Sequence, residues 1–323
     1  MSGAPIISVV IPSYNRVGRL AGLTDALAAQ DIDAPFEVLV IDNGSADDTP
    51  AELRRLEAVH PFLRSIRVDP NRGPGPARNA GWRAARADRV AFTDDDCVAA
   101  PSWLRLLVDG LDRADVVQGR TMPDQANLRQ IGPFGHTIQV ERESGLYQTC
   151  NIAYRKDVLE SLGGLDERFG HFGDDCDLGW RAREAGYRST FVDDALVVHE
   201  VVPSDFLRYL RGVPRIEGTV RALSRHSGMR DHFVRGRFYT EAHPPALALA
   251  GAGVALLGRP RSALRWAALL TAGTFYARAA MHVRPPPRRR RAWAWVLPLA
   301  ACADMAEIAV LARASVRYRT LLL

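Results

Sequence analysis

Over its first 120 residues the chain alternates short β-branched runs with amphipathic stretches, and this rhythm leaves few folds open. Strands are predicted at residues 7–12, 36–41, 63–68, 89–93 and 115–119, with helices near 18–29, 50–59, 77–87 and 101–111. Successive strands separated by a helix pair in parallel, so the pattern predicts an α/β domain: a Rossmann-like, mostly parallel sheet flanked by helices. The second helix carries its own start signal, with Thr49 as cap, Pro50 at the first helical position and Glu52 to complete a capping box. Beyond residue 119 the alternation fades. Residues 120–147 read as a polar, Gly-containing excursion, and a loop of that length in a compact domain is more often a lid or binding segment than filler. A segment at 148–154, a turn-rich passage at 163–170, a helix from about 175 to 185 and two short strands ending at His199 would complete the domain.

Ligands bind such sheets outside the carboxyl ends of the strands, and there the acidic residues collect. Asp94, Asp95 and Asp96 close the fourth strand, and Asp174, Asp175 and Asp177 follow about eighty residues later. Grouped carboxylates at a buried strand end repel one another, and a divalent cation relieves the repulsion. Two plainer readings stand beside this one. The first cluster can be a solvated turn leading into the helix at 101, and Asp174 and Asp175 can be first-turn carboxylates favoured by the helix dipole.

Length and charge bound the rest. At 323 residues the chain exceeds one ordinary domain, so we divide it into an α/β domain at 1–202 and an appended region at 203–323. Residues 201–323 hold 20 arginines against six acids, whereas the first 200 residues hold 22 basic and 31 acidic residues. A basic, apolar rear half suits anionic lipid better than nucleic acid. Four cysteines without paired or zinc-like spacing fit a reducing cytosol, and residues 6–11 enter a strand with no basic-then-apolar leader. Gly73-Pro74-Gly75-Pro76 is no phosphate loop, because prolines remove the amides that would cradle phosphate; a dinucleotide enzyme is disfavoured.

Five strings, in order, give the chain a family likeness. Val9 to Arg16, with Pro12-Ser13-Tyr14-Asn15 at its centre, resembles the opening strand and nucleotide loop of the inverting family 2 glycosyltransferases with the GT-A fold. Val40 to Ser45 is similar to that family's second-strand acidic motif, Arg78-Asn79-Ala80-Gly81 to its Arg-Asn-x-Gly helix start, and Thr93 to Asp96 to its Asp-x-Asp metal motif. Gly173 to Leu178, on to Arg181, resembles its acceptor-side motif, with Asp174 where Glu is usual. Each string is weak alone; their order and spacing across residues 6–200 make the set specific.

The resemblance implies a nucleotide-sugar donor, UDP-linked, and Mg²⁺ or Mn²⁺ bridging its phosphates so that the diphosphate can leave. Asp96 would be a metal ligand and Asp94 would lie near the ribose or a metal-bound water, while Asp95 is expected to point away by strand alternation. Pro12, Ser13 and Asn15 would cradle base and ribose with Tyr14 packed nearby, and Asp42 would accept a base N–H. Arg78, expected at a helix start, would meet the diphosphate. Asp42 can equally cap its own turn, and Arg78 can pair with a surface acid. Deprotonating an acceptor hydroxyl needs a carboxylate or His, and Asp175, with Asp174 beside it, takes that role. His199 is an additional metal ligand or a satisfied core histidine; Trp103, Trp180 and Tyr187 read as packing, with Trp180 near enough to reach an acceptor.

The tail favours a membrane. Residues 204–230 carry one apolar stripe, and apolar segments follow at 245–258, 266–277 and 292–311. The first two fall short of the ~20 residues that a spanning helix needs, and the third contains Asp304 and Glu307. Residues 284–291, Arg-Pro-Pro-Pro-Arg-Arg-Arg-Arg, suit anionic headgroups. Interfacial or re-entrant helices at the cytoplasmic face of the membrane are preferred, with spanning helices or a soluble helical subdomain as rivals. The string Ser262 to Trp266 lacks the Gln of the Gln-x-x-Arg-Trp motif of processive relatives, so transfer of a single sugar is expected. A sugar-phosphate nucleotidyltransferase would also use Mg²⁺ and carboxylates but would want a Gly- and Lys-rich loop near the N-terminus. A non-catalytic nucleotide-sugar-binding protein is the third reading.

Overall fold

Apolar runs that are buried along their whole length set the first half of the sheet. In a computed structural model that describes residues 3–143, 145–170, 172–258 and 262–323, β1 (Ser8–Ser13), β2 (Glu37–Asp42), β3 (Leu63–Arg67) and β4 (Arg89–Thr93) form parallel pairs in the order β3-β2-β1-β4. Three helices make the crossovers: α1 (Val17–Ala28), α2 (Thr49–Val59) and α3 (Pro74–Ala84). Val9, Ile11, Val38 and Val40 pack with Leu20, Leu23, Leu53 and Leu56 of α1 and α2. α3 comes closer to the sheet, because a Cβ on Gly81 would lie 2.3 Å from Val10 Cγ1; only glycine permits that approach.

The second half is mixed. After β5 (Cys97–Ala99) and α4 (Trp103–Leu111) come β6 (Val116–Pro123), β7 (Asn151–Arg155), α5 (Lys156–Leu162), α6 (Asp174–Glu184) and β8 (Ser189–His199). The sheet continues β4-β7-β6-β8-β5, with β7 antiparallel to both β4 and β6, β8 parallel to β6, and β5 antiparallel to β8. β8 is one strand of 11 residues where two short ones were predicted. A register shift between Gly119 and Thr121 bends the β6–β8 ladder and lets it continue. Asn151 fixes that bend: its amide nitrogen donates to Arg120 O and Ala195 O, and its oxygen accepts from Trp103 Nε1. Trp103 is therefore a packing residue.

Two further expectations need correction. The α2 capping box does not form, because Thr49 Oγ1 accepts from Arg16 N and Glu52 is taken by Arg55 one turn on. α3 begins at Pro74 rather than near residue 77, since two prolines and a glycine suit a first turn whose N–H groups have no helical partner anyway.

The chain forms two compact units: residues 1–124 with 138–200, and 125–137 with 201–323. The excursion expected at 120–147 is thereby divided. Its start continues β6, and residues 125–137 join the second unit, where Phe134 packs edge-on against Phe206 at 5.4 Å. That unit holds α7 (Phe206–Gly212), α8 (Glu217–Arg225), α9 (His243–Gly258), α10 (Ala263–Val283) and α11 (Trp293–Tyr318). Small residues let its helices approach: Ala242, Ala246, Ala280 and Ala300 are buried with Tyr276 and Ile308. α10 runs for 21 residues, longer than its apolar stretch suggested. Among the described residues α11 alone combines spanning length with high hydropathy. Its two acids are buried and partnered: Asp304 accepts from Tyr276 Oη at 2.6 Å and from Arg284, and Glu307 accepts from His243 Nε2 at 2.9 Å and from Tyr209.

Candidate active site

The short string Arg78-Asn79-Ala80-Gly81 does three jobs on one helix. Gly81 seats α3 on β1, and Asn79 reaches the turn-rich passage, donating to Leu165 O and Glu167 while its oxygen accepts from Leu165 N and Trp82 Nε1. Arg78, 6% exposed, points to the carboxyl edge of the sheet, where one guanidinium nitrogen lies 2.5 Å from Asp94 Oδ1. Burial alone would make this cation less stable, and the charges of Asp94, Asp174 and Asp175 more than offset it. Arg78 thus sits in the second turn of α3, facing acids, rather than at a bare helix N-terminus as expected.

Asp174 approaches the same helix from α6. A Cβ on Gly75 would fall 2.6 Å from Asp174 Oδ2, so the first turn of α3 is open for that carboxylate. The carboxylate is 3% exposed, and Oδ2 has no hydrogen-bond partner among the described residues. Asp175, next along and half-buried, accepts from Cys176 N at 2.8 Å. Burial, and then the charge of Asp174, push the Asp175 carboxyl up to about 7. The two acidic clusters, far apart in sequence, therefore meet around one guanidinium. Asp177 stands apart from them: it is buried beneath α6 and accepts from Arg181, whose other nitrogens donate to Leu162 O and Gly164 O. Asp177 and Arg181 brace the loop before α6.

Asp94 to Asp96 form a turn between β4 and β5, so strand alternation does not apply to them. Asp95 consequently faces inward, where Ser13 Oγ donates to it at 2.7 Å and Arg16 stands 3.6 Å away. Burial lifts its carboxyl to about 7 against the lowering effect of Ser13. Asp96 is likewise raised, by burial and then by Asp94. Across the adjoining ladder Cys97 is the register partner of His199. His199 Nδ1 lies 2.7 Å from Glu200 O, and a carbonyl can only accept, so Nδ1 carries the proton and Nε2 turns toward Asp96 Oδ1 at 3.6 Å. That spacing is too long for a hydrogen bond and matches two ligands of an ion with ~2.1 Å bonds. Asp96, Cys97 and His199 place their donor atoms within 4.8 Å of one another. The His199 Nε2 and the Asp96 carboxylate, crowded by Asp94, make a donor pair that a divalent cation fits.

The β1 and β2 tips make the other wall. Asn15 adopts a left-handed backbone at φ 55°, and its side-chain oxygen accepts from Ala46 N at 2.8 Å while its own N–H donates to Ser45 Oγ. Asp42 caps the turn through Ser45 N and also pairs with Arg67, its register partner on β3, at 2.6 Å. Tyr14 is 45% exposed beside them, and Pro12 is half-buried. Trp180 is buried, with Nε1 donating to Gly145 O. Arg16, Arg67 and Cys97 had no role in the sequence reading. Arg67 becomes visible only once β2 and β3 are in register, and Arg16 only when the acidic turn is placed opposite β1.

Comparison with known proteins follows the same order of motifs. Residues 8–163 match the model of glycosyl transferase family 2, and residues 149–306 that of glycosyl transferase family group 2. The glycosyltransferase AglE of Haloferax volcanii is 29% identical over 213 residues, covering 62% of this chain and 69% of that relative. Of two further relatives the chain spans only 17% and 42% of the length. Among solved structures, S. aureus TarS with UDP-GlcNAc superposes with a TM-score of 0.55 at 18% identity, covering 97% of this chain and 91% of that one. The mannosyltransferase PcManGT of Pyrobaculum calidifontis, with GDP-Man and Mn²⁺, gives 0.52 at 21%, covering 98% and 83%. At these identities the structural likeness speaks for the GT-A fold.

Proposed function

This chain belongs to glycosyltransferase family 2, and from that premise we propose that it transfers one sugar, with inversion, from a nucleotide-sugar donor to a hydroxyl acceptor. A UDP-sugar is the donor we favour; the structural neighbours carry UDP-GlcNAc and GDP-Man. One observation carries the reading: Arg78 touches Asp94 and is flanked by Asp174 and Asp175, so the acids of the metal turn and those of α6 surround a single charge. A site for a departing diphosphate and a site for an incoming hydroxyl have to be neighbours in this way.

Asp96 and His199 would hold a Mg²⁺ or Mn²⁺ ion, which when bound offsets the charge of the leaving diphosphate. Asp94 positions Arg78 toward the phosphates, and Ser13 fixes Asp95 in the metal turn. Pro12, Tyr14, Asn15 and Asp42 form the wall against which base and ribose would lie, with Arg67 setting the orientation of the Asp42 carboxylate. Asp175 takes the proton of the acceptor hydroxyl as its oxygen bonds to the anomeric carbon and the bond from that carbon to the phosphate oxygen breaks. Asp174 keeps the Asp175 carboxyl basic enough for that task. The basic helical region would hold the enzyme against the inner leaflet, with a lipid-linked or membrane-proximal acceptor.

The test is a panel of nucleotide sugars incubated with Mn²⁺ and candidate acceptors, with release of the nucleoside diphosphate and transfer to acceptor followed together. Transfer from one donor that requires the metal and Asp175 is the expected result. Tight donor binding with neither hydrolysis nor transfer for any acceptor would instead make the chain a nucleotide-sugar-binding protein.

A further inference from the structure

α9 and α10 pack along each other and leave between them a groove of about 920 Å³. Its walls are small and apolar, with Ala248 and Ala252 from α9 and Ala272 and Phe275 from α10. Arg278 and His282 stand at one end. His282 faces Glu241 at 3.8 Å, whereas Arg278 faces no carboxylate among the described residues. On the same two helices Leu257 is 83% exposed, Leu264 81%, Leu270 68% and, in the groove wall, Phe275 63%. Apolar surface of this kind, rimmed by arginine, is costly to leave in water and marks a binding face.

Resting on the membrane reading above, we propose that this groove is a phospholipid site. The α9–α10 hairpin lies in the plane of an anionic membrane, an acyl chain fills the groove, and Arg278 takes the lipid phosphate. Charge at both ends of the hairpin selects this orientation. In the sequence Arg259 and Arg261 fall between α9 and α10, and Arg288, Arg289 and Arg291 follow α10. Re-entrant insertion would sink Arg259 and Arg261 into hydrocarbon at roughly 3 kcal/mol each. A span needs ~20 apolar residues, and α9 has 16. Lying flat keeps Arg278 within reach of the headgroups while Phe275 reaches the acyl chains.

The test uses the full-length chain with vesicles of phosphatidylcholine alone or mixed with phosphatidylglycerol. Trp82, Trp103 and Trp180 are buried and Trp266 and Trp295 exposed, so quenching by brominated lipid reports the tail. Expected are binding that requires phosphatidylglycerol and stronger quenching by bromine near the carbonyl end of the chain than near its methyl end. Arg278→Glu should weaken binding roughly 30-fold, the effect of moving two charges at the surface. Ala252→Phe, which fills the groove, should weaken it about 5-fold at unchanged Tm. Wild-type affinity in both variants overturns the groove site and leaves the membrane reading standing. Stronger quenching near the methyl end overturns the in-plane orientation, and no vesicle binding by the wild type overturns both readings.

Discussion

The guanidinium of Arg78 lies 2.5 Å from the Asp94 carboxylate in a setting where only 6% of the arginine is exposed. Removing one partner of such a pair leaves the other charge uncompensated. Arg78→Met keeps the volume and loses the charge, and should cost about 3 kcal/mol near pH 8. Burial raises the Asp174 carboxyl, so that charge is neutralised as pH falls and the penalty should shrink near pH 4. Urea unfolding at the two pH values measures it; an equal loss at both would assign the effect to packing.

Asp175→Asn should lower kcat by roughly 10²- to 10⁴-fold while the donor dissociation constant stays within about 3-fold. Titration calorimetry with donor and Mn²⁺, beside initial rates, separates the two quantities. Turnover close to wild type would remove Asp175 from the proton transfer.

Burial and Asp174 hold the Asp175 carboxyl at about 7, and a base must be ionised to act, so kcat/KM should rise with pH through that region and then level. Asp174→Asn removes a like charge, and the rising limb should move to lower pH. Stability has the opposite sign. The folded chain holds this proton more tightly than the unfolded one, so the group favours folding below the ordinary carboxylate range and the benefit is lost as pH climbs to about 7. Melting curves of Asp174→Asn should therefore show a gain over wild type at neutral pH and little difference in acid.

His199→Ala removes the nitrogen that faces Asp96 at 3.6 Å and should weaken Mn²⁺ binding by at least about 10-fold. Paramagnetic resonance of free Mn²⁺ counts the bound ion without any turnover. Unchanged affinity would return His199 to the role of a core histidine.

In the helical unit Asp304 is 1% exposed and takes both Tyr276 and Arg284. Asp304→Leu strands the arginine, and about 3–5 kcal/mol of stability should go with it. The double variant with Arg284→Met should recover a large part of that loss, read as the midpoint of thermal unfolding.

The parallel half of the sheet was legible because β1, β2 and β4 are buried on both faces and carry unbroken apolar runs. β5, three residues long, and the antiparallel entry of β7 were not, since pairing between distant strands leaves no local trace. Asp95 was read by a rule for strands although the chain had already turned, and Thr49 as a cap although Arg16 N competes for its hydroxyl. Arg78 was found as a residue but not as a relationship. Its partner Asp94 is sixteen positions away, and Gly75, which admits Asp174 to the same helix, gives no chemical signal of its own.

Asp304 and Glu307 also bear on how the protein would come and go. α11 is long and oily enough to cross lipid, yet it is moored to its neighbours by two carboxylates whose four partners sit on other segments of the same unit. Threading α11 alone through a bilayer would mean undoing all four ties. On the membrane reading proposed above, these ties favour docking as an intact body, and binding of that kind responds to salt and lipid charge.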